Sequence, residues 1–177
     1  QAGLYKAVLN EFLLEAEQTE GMKRKGLILA TLTKLKQICN HPAHFLNDGN
    51  NLADRSGKVA RLDELIEEIV ETNQRVLVFT QYRVMGDLLA EHLTNLIGGK
   101  PDFLHGGVSR GKRQKMIDQF QSENSSPVLL ISLKAGGTGL NLTAANRVIH
   151  FDRWWNPAVE DQATDRAWRI GQQRTVF

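Results

Sequence analysis

Cysteine, proline and long apolar runs are scarce in this sequence, and each scarcity excludes a class of protein. The single cysteine, Cys39, excludes an intrachain disulfide and is typical of a reducing compartment. On a predicted helix it is expected to be a small buried side chain. No apolar run approaches the roughly 18 residues of a membrane span, and residues 1–10 lack the pattern of a signal peptide. The first residue is Gln1 rather than Met, so we expect a piece of a longer protein with no membrane partner.

Charge is nearly balanced overall, at +2, but it is unevenly distributed. An acidic helix face is predicted within residues 63–71. Between residues 100 and 115 Asp102 is the only acidic residue, so this stretch is strongly basic. It fits a phosphate-binding edge and equally a solvated helix face, and charge alone leaves both interpretations open. Its basic residues are Lys100, Arg110, Lys112, Arg113 and Lys115.

The first part of the chain, residues 1–46, is predicted to be a helical lead-in. Apolar residues recur there at three- and four-residue spacing, and Pro42 should end the second helix near Asn40. Residues 47–57 are polar and turn-prone and predict a linker. Residues 58–177 are predicted to be a separate lobe, truncated at its C-terminus. The apolar stripe of the lead-in consists of Leu27, Ile28, Leu32, Leu35 and Ile38.

From residue 58 onward, predicted helices and strands alternate. Apolar runs at residues 76–79, 128–131 and 148–151 indicate strands buried on both faces, and Phe103 marks a shorter strand. Ser56 and Ser109 are placed to cap helices, and Pro157 to begin the last one. This alternation predicts an α/β fold with a parallel sheet covered by helices on both faces.

The loops that follow the predicted strands are rich in hydroxyls and glycines. In a parallel sheet these loops share one edge, where such sheets bind their ligands. Hydroxyls, glycines and helix N-termini hold phosphates, although loops in general contain these residues. The loops are residues 80–82, 105–109, 132–139 and 152–157.

The glycine-rich stretch at residues 136–139 is not a P-loop. A P-loop requires a lysine followed by serine or threonine after its last glycine, whereas here Leu140 and Asn141 follow. No acidic pair ends a strand in the manner of a magnesium-holding Walker B segment. The chain therefore lacks the parts that hold Mg-ATP.

The predicted last helix has Gln162, Arg166 and Arg169 at positions i, i+4 and i+7, which places them on one helical face. The guanidinium groups of the two arginines suit phosphate oxygens. Asp161 and Asp165 offer a different explanation, a surface salt-bridge network. Spacing alone leaves both open.

Several segments together resemble the Swi/Snf-type ATPases, a branch of the superfamily 2 helicases. Residues 161–172, DQATDRAWRIGQ, resemble motif VI, and residues 132–143, SLKAGGTGLNLT, resemble motif V. The resemblance extends over residues 30–177. Its other segments are VFTQY at 78–82 (motif IV), LHGG at 104–107, FDRWWNP at 151–157, and the lead-in LKQICNHP at 35–42.

The resemblance implies a RecA-like, P-loop-NTPase-type second lobe. Arg166 and Arg169 match arginine fingers that reach ATP held with Mg²⁺ on a first lobe, and Gln162 matches the glutamine that couples nucleotide to them. Gly137 and Gly139 lie in the loop that links DNA to the ATP cleft. No metal ligand is implied within this chain. The residues matched to the DNA-facing segments are Thr80, Gln81, His105, Gly106, Arg110, Lys112, Arg113, Ser132, Lys134 and Thr138.

The implied partners are double-stranded DNA, the first lobe of the same polypeptide, and a DNA-bound protein such as a nucleosome or RNA polymerase. The implied location is the nucleus, or the nucleoid of a prokaryote. The rival function is a non-catalytic docking module for DNA or protein, which two intact finger positions disfavour. The Trp-Trp-Asn-Pro and Arg-Ile-Gly-Gln signatures disfavour a strand-separating helicase.

Two further residue pairs have two interpretations each. Trp154 and Trp155 are expected to pack between the motif V loop and the motif VI helix rather than to stack on bases. His41 and His44 are expected to have turn or core roles rather than to bind a metal, since no second ligand pair accompanies them.

Overall fold

The structure, a computed structural model, describes residues 1–49, 52–122, 125–135 and 140–177. The chain divides into two compact units, residues 1–61 and 62–177. The domain limits placed at residues 46 and 58 remain predictions.

The first unit contains a helical hairpin followed by a short third helix. The predicted apolar stripe of the second helix is only partly right: Leu35 and Ile38 are buried, whereas Ile28 and Leu32 are exposed. Cys39 is exposed rather than buried, because it lies beside the buried row of this helix and not on it. The helices are α1 (Ala2–Glu17), α2 (Gly21–Asn40) and α3 (Pro42–Leu46).

His41 and His44 have the capping and core roles expected of them. His41 is fully buried, and its Nδ1 accepts a hydrogen bond from the backbone N–H of Ala43 at 3.0 Å, which caps α3. Its Nε2 therefore carries the proton and donates to the carbonyl of Leu52 at 3.1 Å. Burial, with a smaller contribution from His41, lowers the pKa of His44 to about 4, so His44 is neutral at pH 7. Within the described ranges, no group of three or more His, Cys, Asp or Glu residues is arranged to hold a metal.

The polar stretch predicted as a linker is packed rather than loose where it is described. Leu52 is buried, and so is Ser56. The hydroxyl of Ser56 donates to the backbone carbonyl of Asn40 at 2.9 Å, and Lys58 Nζ donates to Asn40 Oδ1 at 2.8 Å. These bonds fasten the start of the next helix to the end of α2.

The second unit is built around a four-stranded sheet in which every pairing is parallel, in the order β2-β3-β1-β4. This confirms the α/β fold with a parallel sheet. Ser109 occupies the N-cap position of α6, but its side chain makes no capping hydrogen bond with the described residues. The elements are α4 (Gly57–Glu71), β1 (Val76–Thr80), α5 (Arg83–Leu96), β2 (Asp102–Leu104), α6 (Arg110–Gln121), β3 (Val128–Ser132), β4 (Arg147–His150) and α7 (Pro157–Thr164).

The two inner strands and the two outer strands differ in burial. Every residue of β1 and β3 is buried, as the apolar runs predict. The expectation of full burial is wrong for β4, which is half-buried because it is an outer strand of the described sheet. The Val148 N–H of β4 donates to the Phe177 carbonyl at 2.8 Å, and the Phe177 N–H donates to the carbonyl of Asn146, just before the strand, at 3.0 Å. The other outer strand, β2, has three residues and begins at Asp102, whose pKa is raised by burial.

Gly86 on α5 lies directly against the ring of Phe103 on β2. A Cβ added at Gly86 would overlap the phenyl carbons, so helix and strand would have to move apart. We therefore expect Gly86→Ala to lower the free energy of unfolding by about 1–3 kcal/mol, although alanine is the better helix former. Urea denaturation of the purified chain measures this change.

Gly111→Ala on α6 is the matched control, because an added Cβ there meets no atom of the described chain within 4 Å. It should leave stability unchanged or raise it by up to about 1 kcal/mol. Equal stability of the Gly86 and Gly111 variants would show that α5 and β2 are not in close contact in solution.

Candidate functional site

The carboxyl ends of all four strands lie at one edge of the sheet, because the strands are parallel. Thr80, Leu104, Ser132 and His150 are the last residues of β1, β2, β3 and β4. The four loops selected from the sequence follow these residues, as predicted. Of the loop after β3, the structure describes residues up to 135 and from 140, so Gly137, Thr138 and Gly139 lie outside the described residues.

Asp152 joins the loop after β4 to the loop after β1. This carboxylate is 3% exposed and accepts from the Thr80 hydroxyl at 2.6 Å and from the Gln81 backbone N–H at 2.8 Å. Thr80 is fully buried, so its assignment as a direct DNA contact is corrected: its hydroxyl holds Asp152 instead. Gln81 remains partly exposed. Burial and the nearby Asp152 charge both raise the pKa of Tyr82.

A second buried carboxylate, Glu160 in the first turn of α7, holds the loop that precedes this helix. It accepts from the Trp154 backbone N–H at 2.7 Å and from Arg153 Nε at 3.0 Å. Trp154 packs against the hydrophobic core, and its contact with the motif V loop stays a prediction. The expectation of packing is wrong for Trp155, which is 65% exposed. The sequence pattern predicted Asp152 only as part of the edge loop at residues 152–157 and indicated no role for Glu160.

The loop after β2 is ordered by His105. Its Nδ1 accepts from the Gly107 backbone N–H at 3.1 Å, and its ring packs against Phe103 with centroids 5.1 Å apart. Gly106 is exposed at the tip of this loop. The loop therefore has a defined shape and exposes its glycines at the same edge as Gln81.

The basic helix α6 begins at this edge and has both exposed and structural cations. Arg110 and Lys112 are exposed in its first turn, and Lys134 is exposed in the loop after β3. Arg113 is half-buried and donates from Nη1 to the carbonyl of Ala135 at 3.1 Å. It thus fastens α6 to the glycine-rich loop, whereas the other three cations are available to a ligand. Ser132, at the end of β3, is buried.

The sequence-based placement of Gln162, Arg166 and Arg169 on one helical face is wrong. Helix α7 ends at Thr164, and Asp165 is its C-cap. Beyond that point the chain tightens into turns, with the Ala167 N–H bonded to the Thr164 carbonyl at 3.0 Å. Gln162 lies on the helix, whereas both arginines lie after it. Gln162 and Arg169 are exposed, and Arg166 is 5% exposed.

Arg166 lies at the carboxyl ends of β1 and β4. Its guanidinium carbon is 5.9 Å from the centroid of the Phe79 ring, which in turn stacks on His150 at 5.4 Å. His150 Nε2 is 3.0 Å from the Thr164 hydroxyl. Burial, and secondly the Arg169 charge, lower the pKa of Arg166. Its burial excludes the solvated surface network as the explanation for this residue.

The turn that contains Arg169 is anchored by Gln172. The Gln172 side-chain amide lies within hydrogen-bond distance of the carbonyls of Thr143 (3.1 Å), Ala145 (2.8 Å) and Ala167 (3.0 Å). The Leu142 N–H also donates to the Arg166 carbonyl at 3.0 Å. These contacts join the motif V segment to the motif VI segment. The sequence signature contains Gln172, but its spacing gave no sign of this role.

An open cavity of about 710 Å³ adjoins this turn. A volume of this size falls within the ordinary range of ligand sites. Arg169 is therefore accessible from this open space. The lining residues of the cavity are Asn141, Trp168, Arg169 and Ile170.

Comparison with known families identifies the family to which this chain belongs. The family model described as the helicase conserved C-terminal domain matches residues 57–171, more than half of the chain. The chain belongs to this family.

Individual relatives confirm the Swi/Snf resemblance and the RecA-like fold. The Sulfolobus solfataricus SWI2/SNF2 ATPase core, solved in complex with double-stranded DNA, superposes with a TM-score of 0.86 and is 44% identical, covering 99% of this chain and 36% of that one. YwqA of Bacillus subtilis, named as an ATP-dependent helicase/translocase, is 49% identical over 99% of this chain. A mouse SWI/SNF-related chromatin regulator of subfamily A is 36% identical over 92% of this chain.

The helicase C-terminal lobe is much shorter than these relatives. It spans 19% of the Bacillus protein and 16% of the mouse protein. None of the helices in the described ranges is both long enough and apolar enough to cross a membrane.

Proposed function

We propose that this helicase C-terminal lobe is the second motor lobe of an ATP-dependent double-stranded-DNA translocase. The observation that carries the proposal is the placement of two arginines in the segment that follows α7. Arg169 is exposed beside an open cavity, and Arg166 lies at the ends of β1 and β4. The Sulfolobus relative was solved with double-stranded DNA, which supports DNA as the track.

In the proposed engine, ATP and Mg²⁺ are held mainly by a first lobe, because this sequence has no P-loop lysine. The donors present here fit the phosphate part of ATP: guanidinium groups bind phosphate oxygens through paired N–H donors. Arg169 and Arg166 would stabilise charge on the transferring phosphoryl group, and Gln162 would align them. Gly137 and Gly139 are proposed to border the same cleft. Arg166 is buried in this conformation, so its action requires a change in the conformation of its side chain.

DNA is proposed to lie along the loops after β1 and β2 and the start of α6. Gln81, Gly106, Arg110 and Lys112 present amide groups and cations there, and Lys134 and Thr138 would extend the contact. His105 shapes its loop, while Arg113 and Ser132 support the loop after β3. Contacts of this kind fall on phosphates, so binding should be sequence-independent and salt-sensitive.

Asp152 is proposed to couple the DNA-facing loop after β1 to helix α7. Its carboxylate holds the DNA-facing loop through Thr80 and Gln81, and it belongs to the segment that leads into α7. A shift of α7 towards nucleotide would therefore move the loop that faces DNA.

The proposed partners are the first lobe of the same polypeptide and a protein displaced along DNA, such as a nucleosome or RNA polymerase. Residues 1–46, 47–57 and 58–177 are proposed as the helical lead-in, the linker and the motor lobe. The proposed location follows from the DNA track: nucleus or nucleoid.

Translocation and salt dependence test the DNA part of this proposal in the full-length protein. We expect ATP-driven displacement of a third strand from triplex DNA without separation of the duplex strands. Lys112→Ala should reduce the slope of log binding constant against log salt by about 0.9, because one phosphate contact is lost. Filter binding at several salt concentrations measures the slope.

Lys23→Ala, an exposed lysine on α2, is the control and should leave the slope unchanged. Separation of duplex strands would instead identify a strand-separating helicase. An unchanged slope for Lys112→Ala would remove the start of α6 from the DNA interface.

A further inference from the structure

We infer that Trp168 and Ile170 form an apolar contact surface that seals the cleft by packing against the first motor lobe when the two lobes close. This inference rests on the proposed function and adds a partner to it. Trp168 is 74% exposed and Ile170 is 100% exposed, and they flank Arg169 on one turn. Large apolar side chains exposed together mark interaction sites more often than single ones do.

The exposure of this pair is imposed by the fold rather than by a loose segment. On one side the turn is anchored by Ala167, which is fully buried in the core. On the other side it is anchored by Gln172, whose amide contacts three backbone carbonyls. The Gln172 N–H also donates to the Arg169 carbonyl at 2.9 Å, which closes the turn itself. The structure therefore holds both side chains outward.

The neighbouring Arg169 indicates which surface packs against Trp168 and Ile170. Arg169 stands between the two apolar residues, and all three line the same cavity. If its guanidinium reaches a phosphate held on another lobe, that lobe's surface must come within a few ångströms of residues 168 and 170. Tryptophan and arginine in the centre of an interface contribute much of its binding energy. The occupant is thus the apolar surface beside the nucleotide on the first lobe.

Closure would remove both side chains from water and exclude water around Arg169. Exclusion of water strengthens the interaction between a guanidinium and phosphate charge. Trp168 and Ile170 would thereby favour closure and also strengthen the interaction of Arg169 with the phosphate. Arg169 alone supplies the positive charge but does not exclude water from around it.

The test uses the full-length protein with Ile170→Gln and, separately, Trp168→Gln. The fraction of closed molecules is measured by energy transfer between one dye on each motor lobe, with DNA and a non-hydrolysable ATP analogue. Each variant should lower the closed-to-open ratio about tenfold, since a large apolar side chain no longer becomes buried. DNA-stimulated kcat should fall in parallel. Trp168→Phe, which keeps an apolar ring, should restore most of both values.

Leu14→Gln is the matched control, because Leu14 is 68% exposed on α1 and far along the chain from the turn. It should close and turn over as the wild type does. Closure of Ile170→Gln at the wild-type level would overturn the inference while leaving the finger role intact. Wild-type turnover by Arg169→Ala would instead overturn the proposed function.

A third outcome separates a contact with protein from a contact with the base of the nucleotide. Trp168→Gln would then change the preference for ATP over GTP and raise the KM for ATP, with closure unchanged. That result would make the indole a base-stacking group and would overturn the contact surface proposed here.

Discussion

Arg169→Ala in the full-length protein should lower DNA-stimulated ATP turnover by about 10³–10⁵-fold while nucleotide binding is retained. The physical reason is that a finger contributes mainly in the transition state, when charge builds on the transferring phosphoryl group. Arg166→Ala should give a loss of similar size if the turn after α7 brings Arg166 to the same phosphate. Steady-state ATP hydrolysis, together with titration of a fluorescent nucleotide, measures both quantities.

Two further variants sharpen this prediction. Arg169→Lys keeps the charge but not the planar pair of donors, so it should recover only a small part of the activity. Arg24→Ala removes an exposed arginine from α2 and should leave turnover unchanged. Parallel loss of nucleotide binding and turnover in Arg169→Ala would contradict the finger assignment, because it would show a ground-state role.

The isolated 177-residue chain should hydrolyse no measurable ATP, with or without DNA. It supplies arginines to a nucleotide but has no P-loop lysine with which to hold one. A phosphate-release assay on the purified chain measures this, with the full-length protein as the positive control. Addition of a separately produced first lobe at high concentration should restore a small part of the turnover, since the nucleotide site is then complete.

DNA-stimulated hydrolysis by the chain alone, abolished by Arg166→Ala, would contradict this prediction. It would show that residues of this lobe hold the nucleotide by themselves. Hydrolysis that persists in Arg166→Ala would point to a contaminating ATPase in the preparation.

The sheet and its edge were predictable from sequence because apolar runs report burial directly. Runs at residues 76–79 and 128–131 gave inner strands that are fully buried, and the alternation with helices required parallel pairing. The run at 148–151 gave the right strand but the wrong burial, since sequence does not reveal which strand lies outermost. Strand order is a property of long-range packing.

The candidate site was less predictable, for reasons visible at particular residues. Helical spacing placed Arg166 and Arg169 on one face, but the helix ends at Thr164 and the following turns change the direction of each side chain. The hydroxyl of Thr80 was expected to face DNA, yet a carboxylate 72 positions away in the sequence takes its hydrogen bond. Local patterns contain no information on such distant pairs.

The two outer strands of the sheet, β4 and β2, differ in what limits their pairing with strands of other molecules at high concentration. On one side the backbone of β4 is occupied by Phe177. On the other, β2 offers only three residues, begins with the carboxylate Asp102, and is preceded by Lys100 and Pro101. Short length, charge and proline each discourage a strand from another molecule from adding to a margin. The β2 side of the sheet is therefore a poor template for a strand of a neighbouring copy.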